Sequence, residues 1–501
     1  MRDAPCRRPG EGTRDAVHRA VRARGPARHV ESILEMTRLA RPLTPANPPP
    51  HLPPMPLPTA GLKTRFRWVL PCILFLGFAL RVGLMFREDP VQSMLNQNDG
   101  MEYLAYARSI LDGKGDDHAR IFDLVRPPGY PLFLIPFESL FPMESRHLLV
   151  SIRGFEPPVR ISDAMFRTIE GVQCAIDMAT ACIVGLIAGR IGGSRARLWT
   201  TALYAFNPLV AVFPAWVMAE TVFIFLTWLG IFLLQSLGEG SSPQRWRRLV
   251  GAGIALAFAC LCRPSLQAFL PVAAIWVGWI GYRRTGRLRT AIAQMAGLTV
   301  AVSVWLLPLQ VRNLWHHGEF NIAPRYATAM YAMSSSREYY ATFAARTPHE
   351  YYASLARLFA PYHVGSGKYQ ADWVRDASAF RRGRPADWWR MQGLKMIGFW
   401  RPWLNPMLYA WPMVAASALA TIPTFLAGFL GMFSRRSRHP SRPLLVGIVI
   451  VGYLTGGFLF IVATRFRVPM VDIGLMVFGG IWLAGLGRPD ADTPPAASEP
   501  A

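Results

Sequence analysis

Residues 434–469 read SRRSRHPSRPLLVGIVIVGYLTGGFLFIVATRFRVP, and this stretch decides the class of fold. A short loop carrying Arg435, Arg436, Arg438 and Arg442 leads into an unbroken apolar run from Leu444 to Ala463. About 20 such residues, wound as a helix, cross the ~30 Å hydrocarbon layer of a bilayer. The same alternation of basic loop and apolar run repeats along the 501 residues. The chain is 52% hydrophobic, with a positive mean hydropathy, more than a soluble protein of this length needs to fill its core. A closed barrel is excluded, because its strands would alternate apolar and polar residues.

The formal charge of +23 is distributed rather than gathered in one patch. Arginines cluster in the loops 189–197 (Arg190, Arg195, Arg197), 238–248 (Arg245, Arg247, Arg248), 281–290 (Arg283, Arg284, Arg287, Arg289) and 434–443. Basic loops between apolar runs mark the cytoplasmic side of a membrane protein. Nucleic-acid binding would want those charges interleaved with aromatic residues on one solvated surface, and is set aside. Cys72, Cys174, Cys182, Cys260 and Cys262 fall in or beside apolar runs, and Cys6 in the N-terminal tail, with no disulfide framework or zinc spacing.

Residues 1–60 are rich in Arg and Pro and hold no run able to build a core, so they read as a disordered cytoplasmic tail. Met36 and Met55 offer an internal start as the alternative. Residues 488–501 form a second cytoplasmic tail, and 61–487 the polytopic domain between. The first apolar run, 69–86, follows Lys63, Arg65 and Arg67 and is expected to stay as an anchor. Further spans fall at 166–188, 198–213, 217–237, 291–310, about 407–433, 444–463 and 470–487. Parity places two short spans between the basic loops at 248 and 281, turning at Arg263-Pro264. The expectation is an all-α integral membrane protein of about ten transmembrane helices, multi-pass in an inner or plasma membrane, with both termini cytoplasmic.

Two long outer loops remain, 87–165 and 311–406, and function is sought there. In the first, Gly100–Asp112 reads as a short amphipathic helix with Leu104, Ala107 and Leu111 on one side and Tyr103, Tyr106 and Ile110 beside them. In the second, Trp388, Trp389, Trp400 and Trp403 with Arg390, Lys395 and Arg401 suit a helix lying in the headgroup zone.

Arginines on the outer side go against positive-inside sorting, and Arg81, Arg126, Arg263, Arg312, Arg465 and Arg467 all fall there. Snorkelling to lipid phosphates explains any one of them. A phosphate-bearing lipid ligand explains them together, because guanidinium pairs bidentately with phosphate oxygens. Asp99 has two readings: a helix N-cap, with Glu102 completing a capping box, or a carboxylate that takes the proton from an attacking hydroxyl.

The order of these features resembles the GT-C class of polytopic glycosyltransferases, which includes protein O-mannosyltransferases and the lipid A aminoarabinose transferase. The stretches that carry the resemblance are Ala79-Leu80-Arg81 closing the first span, Asp99 with Tyr103 and a helix ending at Gly113, and RPPGYP at 126–131. ALYAFNP at 202–208 with Met218-Ala219-Glu220, LCRP at 261–264, PLQVRN at 308–313 and TRFRVP at 464–469 follow in the same order. The resemblance implies a sugar-transfer site between the first outer loop and the helix bundle, a periplasmic active site, and a polyprenyl-phosphate sugar donor. It implies Asp99 as general base, with Arg126, Arg465 and Arg467, and by extension Arg312 and Arg263, on the donor phosphate. Tyr103, Glu102, Tyr130 and Glu220 are further substrate-binding candidates. The chain departs from the pattern at Gly100, where Glu is common, and at Glu102, where the aminoarabinose enzymes carry Arg. The acceptor (lipid, glycan or protein) and any divalent metal at a paired acid therefore stay open.

His316, His317 and His363 lack a third ligand at suitable spacing, so no metal site is assigned. Asp177, inside an apolar run, reads as an interhelical hydrogen-bonding group. Tyr326, Tyr331, Tyr339, Tyr340, Tyr351 and Tyr352 read as interfacial anchors or the lining of a sugar pocket. The rival to a transferase is a transporter or flippase of lipid-linked sugars. Transporters carry polar or broken helices at the membrane midplane and internal repeats, and here the polar residues collect at the outer face instead.

Overall fold

The computed structural model describes residues 68–87, 98–113, 126–141, 162–239, 241–359 and 370–486, and all regular structure among them is helical. The tails 1–60 and 488–501, much of the loop 87–165 and His363 lie outside the described residues, as does the Tyr326 side chain.

In chain order the helices are α1 (Val69–Met85), α2 (Asn98–Leu111), α3 (Gly129–Leu140), α4 (Asp163–Ala205), α5 (Glu220–Gln235), α6 (Ser242–Cys262), α7 (Leu270–Thr285) and α8 (Leu288–His317). There follow α9 (Pro324–Ser334), α10 (Arg337–Ala344), α11 (Pro348–Phe359), α12 (Gln370–Gly383), α13 (Pro385–Phe399), α14 (Trp411–Phe433), α15 (Arg442–Tyr453) and α16 (Ile473–Gly485). Among the described residues, 7 helical stretches are long and apolar enough to cross a membrane, a multi-pass architecture. The expected ten crossings differ from these at identifiable places. α1 stops at 17 residues, and α6 carries Arg245, Arg247 and Arg248 in its first turns. The spans expected at 166–188 and 198–213 are joined through α4, which bends at Gly193, where φ is 79°. Only glycine adopts that left-handed geometry without strain, so the bend falls there.

α16 runs through the centre of the bundle, packed between α4 and α14. Gly428 and Gly431 of α14 face Leu475 and Phe478, and a Cβ at Gly431 would stand 2.0 Å from the Phe478 carbonyl oxygen. Small residues let the two backbones close up where lipid offers no hydrophobic driving force. A buried ion pair ties α1 into the bundle: Arg81 Nε donates to Asp177 at 2.5 Å, and Tyr204 donates to the other carboxylate oxygen at 2.6 Å. Arg81 also donates to the carbonyls of Gly77 and Ala205, so it ties α1 to both arms of the bent α4.

The segment expected as the second outer loop folds, among its described residues, into helices α9–α13 around a small core of Ala332, Met333, Tyr339, Leu358, Phe380, Trp388 and Met391. The expected headgroup-zone helix appears as α13, but only part of it faces outward. Trp389 is exposed, whereas Trp388 and Lys395 are buried. Lys395 does not snorkel: its ammonium donates to the carbonyls of Phe458 (2.6 Å) and Ser334 (3.3 Å).

Candidate active site

α2 begins one residue before Asp99, which puts the carboxylate in the first turn, where the helix dipole favours negative charge. Tyr103, Leu104, Tyr106 and Ala107 are buried as the amphipathic pattern anticipates, while Leu111 is exposed at the frayed end before Gly113. Neither part of the capping box is used as such. Both Asp99 oxygens are taken by arginines, Arg126 Nη2 at 2.5 Å and Arg465 Nη1 at 2.6 Å, and Glu102 accepts from Arg126 Nε at 2.5 Å. Arg126 also lies over the Tyr103 ring, 5.4 Å from its centroid.

Arg126 owes its position to the residues that follow it. Gly129 begins α3 directly against the backbone of Leu261 and Cys262, at the end of α6, which brings RPPGYP onto LCRP. Tyr130 is buried, meets Tyr103 edge-on at 5.0 Å, and donates to Gln173 Oε1 at 2.8 Å. The Gln173 amide in turn donates to the carbonyls of Pro214 and Trp216, in the elbow that leads to Glu220. Tyr130 is thus a brace between loop and bundle.

Glu220 starts α5 and is buried against Arg263, its ion-pair partner. Arg263, in the break between α6 and α7, lies 5.0 Å over the Phe466 ring, and Arg465 lies 5.3 Å from the same ring. Asp99, Glu102, Tyr103, Arg126, Arg465, Phe466, Arg263 and Glu220 therefore form one connected cluster drawn from five separate stretches of the chain. It contains the carboxylates Asp99, Glu102 and Glu220 and the guanidiniums Arg126, Arg263 and Arg465, so its formal charges balance.

The remaining outer arginines stand apart from this cluster. Arg81 is paired with Asp177 within the bundle. Arg467 is buried, bonded through two nitrogens to Asp472 (2.8 and 3.1 Å) and to the carbonyls of Phe399 (3.0 Å) and Arg401 (2.5 Å). That geometry fastens the end of α13 to the start of α16. Arg312 is half-buried on α8 and donates to Asn313 at 3.3 Å. The expectation of one ligand shared by all the outer arginines gives way to a division, because guanidiniums inside the bundle need a fixed counter-charge or carbonyls in place of water.

Burial alone would raise the Asp99 carboxyl, but Arg126 and Arg465 outweigh it and hold the group well below the usual carboxylate range. Arg465 contributes one nitrogen to Asp99, and its side chain is 37% exposed, against 17% for Arg126. It is the guanidinium with most room for an incoming anion. The segment before it is held from the second outer loop. Tyr339, an expected anchor or pocket residue, is buried and accepts from the Val462 amide at 2.8 Å, and Ser334 donates to the Leu459 carbonyl at 2.8 Å. Tyr352 is exposed, and Tyr331, Tyr340 and Tyr351 are half-buried. Gln173, Phe466 and Gly129 were not among the expected site residues. Of these only Gly129 and Phe466 had a signal, each sitting inside a stretch already singled out.

Among the described residues no three His, Cys, Asp or Glu gather in a way that could hold a metal ion. The paired acids Asp99 and Glu102 are bridged by Arg126.

No protein-family model and no curated protein matches the chain. Matching solved structures include the archaeal oligosaccharyltransferase AglB from Archaeoglobus fulgidus in complex with an inhibitory peptide and a dolichol-phosphate, at 12% identity and a TM-score of 0.47, covering 84% of this chain and 50% of that chain. The A. fulgidus oligosaccharyltransferase tethered to an acceptor peptide matches at 13% identity and a TM-score of 0.49, covering 84% of this chain and 50% of that chain. Its apo form matches at 10% and 0.44, covering 83% and 50%. The chain spans about half the length of these solved structures. Likeness at this distance says nothing of chemistry, which has to come from the side chains.

Proposed function

We propose that the protein is a membrane glycosyltransferase that moves a sugar from a polyprenyl-phosphate donor to a hydroxyl of a lipid, glycan or protein acceptor at the outer face of the membrane. The observation that carries this reading is the Asp99 carboxylate held between Arg126 and Arg465, residues 27 and 366 positions away in the chain. A base and two phosphate-type ligands in direct contact are the parts that transfer from a phosphate leaving group requires.

In the reaction, the acceptor O–H attacks the anomeric carbon from the face opposite the phosphate, and its proton passes to Asp99. The bond from the anomeric carbon to the phosphate oxygen breaks, and its electron pair leaves with the polyprenyl phosphate, so the configuration inverts. Arg465, Arg126 and Arg263 stabilise the charge that grows on the departing phosphate. Arg467 contributes by position, through its hold on the segment after Arg465.

A carboxylate pinned by two guanidiniums is a weak base. Donor binding corrects this: a phosphate that draws Arg465 and Arg126 toward itself loosens their hold on Asp99, and basicity rises when the sugar is in place. The resting state is thereby protected from activating water in the absence of donor.

The test is transfer of labelled sugar from a polyprenyl phosphate by the purified protein, with Asp99→Asn and Arg465→Met beside it. Asp99→Asn should lower turnover by about 10²–10⁴. Arg465→Met should weaken donor use together with turnover. Undiminished transfer by Asp99→Asn sinks the base assignment. Movement of lipid-linked sugar across sealed vesicles with no transfer favours the flippase.

A further inference from the structure

A cavity of about 300 Å³ lies at the end of the bundle where the basic loops gather, between the first turns of α6 and α8. It is lined by Ser242, Arg245 and Trp246 of α6, by Arg289, Thr290 and Gln294 of α8, and by Leu237. Among the described residues no acidic side chain lines it. The neighbouring Glu239 is already paired with Arg190 at 3.6 Å. Arg284, in the last turn of α7, donates to the Leu237 carbonyl at 2.7 Å and adds its charge close to Arg245.

α6 has 21 residues, and Arg263 caps its far end, so the cavity is roughly 25 Å from the carboxylate–arginine cluster at 1.5 Å per residue. The two sites are separate. Two helices start at this cavity: α6 is closed by the Ser241–Gln244 capping box, whereas α8 starts without a side-chain cap, so its positive dipole end adds to the guanidiniums.

The surroundings indicate where the anion comes from. Trp246 and Val250 on α6, and Leu288 and Ile292 on α8, are large apolar side chains left exposed beside the cavity. Each pair is four residues apart and shares one helix face. α8 continues this outward apolar face with Val300, Val304 and Leu307. α8 is one of the stretches able to cross a membrane, so this face meets acyl chains, and a headgroup carried by such a chain reaches the cavity from the lipid side. A phospholipid uses both cavity and face, with its headgroup among Arg245, Arg289, Ser242 and Thr290 and its acyl chains along α8.

We propose that this cavity binds the phosphate headgroup of an anionic glycerophospholipid. Basic pockets between transmembrane helices suit such headgroups, and the volume fits a headgroup rather than a whole lipid. Occupancy ties the starts of α6 and α8 together, at the opposite end of the helix that presents Arg263.

Native mass spectrometry of the full chain in mild detergent, titrated with phosphatidylglycerol, phosphatidylcholine or inorganic phosphate, tests this. Phosphatidylglycerol should be retained about tenfold or more over phosphatidylcholine, because both carry the phosphate but the choline cation would face Arg245 and Arg289. Arg245→Gln with Arg289→Gln should abolish that preference. Ala293 of α8 also lines the cavity, and Ala293→Trp, which fills it and keeps both charges, should do the same and decides the matter if the arginine variant does not fold. Equal retention of the two lipids by the unmodified protein overturns the proposal, as does unchanged preference in the Ala293→Trp variant. Displacement of phosphatidylglycerol by millimolar inorganic phosphate overturns it too, since that marks a small-anion site.

Discussion

Replacing Gly129 with alanine should harm both stability and transfer, although Gly129 carries no chemistry. A Cβ built there stands 2.5 Å from the Leu261 carbonyl carbon, 2.6 Å from the Cys262 nitrogen and 2.7 Å from the Leu261 oxygen, where ordinary contact begins at 3.4 Å. The atoms in the way are backbone, so no rotamer change relieves the clash, and the start of α3 has to retreat from the end of α6 by about 1 Å. Overpacking of this kind costs about 1–3 kcal/mol. The same retreat separates Arg126, three residues before Gly129, from Arg263, which follows Cys262. A misplacement of about 1 Å in a catalytic arrangement costs about 10²-fold in rate. Gly171→Ala is the control. Its Cβ meets nothing within 4 Å, and alanine in that helix should be neutral or stabilising by up to about 1 kcal/mol. Thermal unfolding in detergent and the labelled-sugar assay measure the two effects. Gly129→Ala with unfolding and turnover like those of the Gly171→Ala control refutes the claim that this contact positions the site.

Further outcomes follow from other residues. Arg81→Met should destabilise by about 3–5 kcal/mol by stranding Asp177, whereas Arg81→Met with Asp177→Leu should recover most of that loss, measured by unfolding of the two variants and the parent. If the double variant is as unstable as the single one, the pair is not the source of the loss. Because the folded Asp99 carboxyl lies well below its ordinary value, its contribution to stability is fully present above pH ~4 and is lost as pH falls through the folded value. The gap in unfolding free energy between the parent and Asp99→Asn should therefore close only in strong acid. In kinetics, kcat/KM should show no acid limb from Asp99 near neutrality. The limb on kcat should lie higher, once the donor phosphate has drawn the arginines away. Burial pulls the Lys395 ammonium from 10.5 to about 7. Between those values the unfolded chain holds a proton the folded chain lacks, so stability should rise with pH across that window, by on the order of a few kcal/mol. Lys395→Met should flatten that slope, and an unchanged slope assigns it to another group.

Much of the architecture was legible in the chain because its causes are local. An apolar run of sufficient length becomes a helix in lipid wherever it lies, and arginines between such runs mark the loops. The turn at Arg263-Pro264 was legible for the same reason, since proline interrupts a helix in place. The bend at Gly193 and the inward-facing Lys395 were not. Each depends on what packs against it, and an isolated glycine or lysine carries no sign of that.

The candidate site divides along the same line. The residue types standing at the ends of the spans were legible in the chain: Asp99, RPPGYP, Glu220, LCRP and TRFRVP. The sequence by itself could not tell Arg465 from Arg467, two residues apart and chemically identical. Only the tertiary structure decided that one meets Asp99 and the other is bound to Asp472 and main-chain carbonyls. Likewise Arg81 met Asp177 within the bundle, while Arg126 met Asp99 and Glu102 at its edge. The physical reason is that a guanidinium is assigned by the counter-charge nearest in space, and that partner is brought near by helices packing across the whole chain. For Arg126 it was further set by a contact so close that only glycine fits.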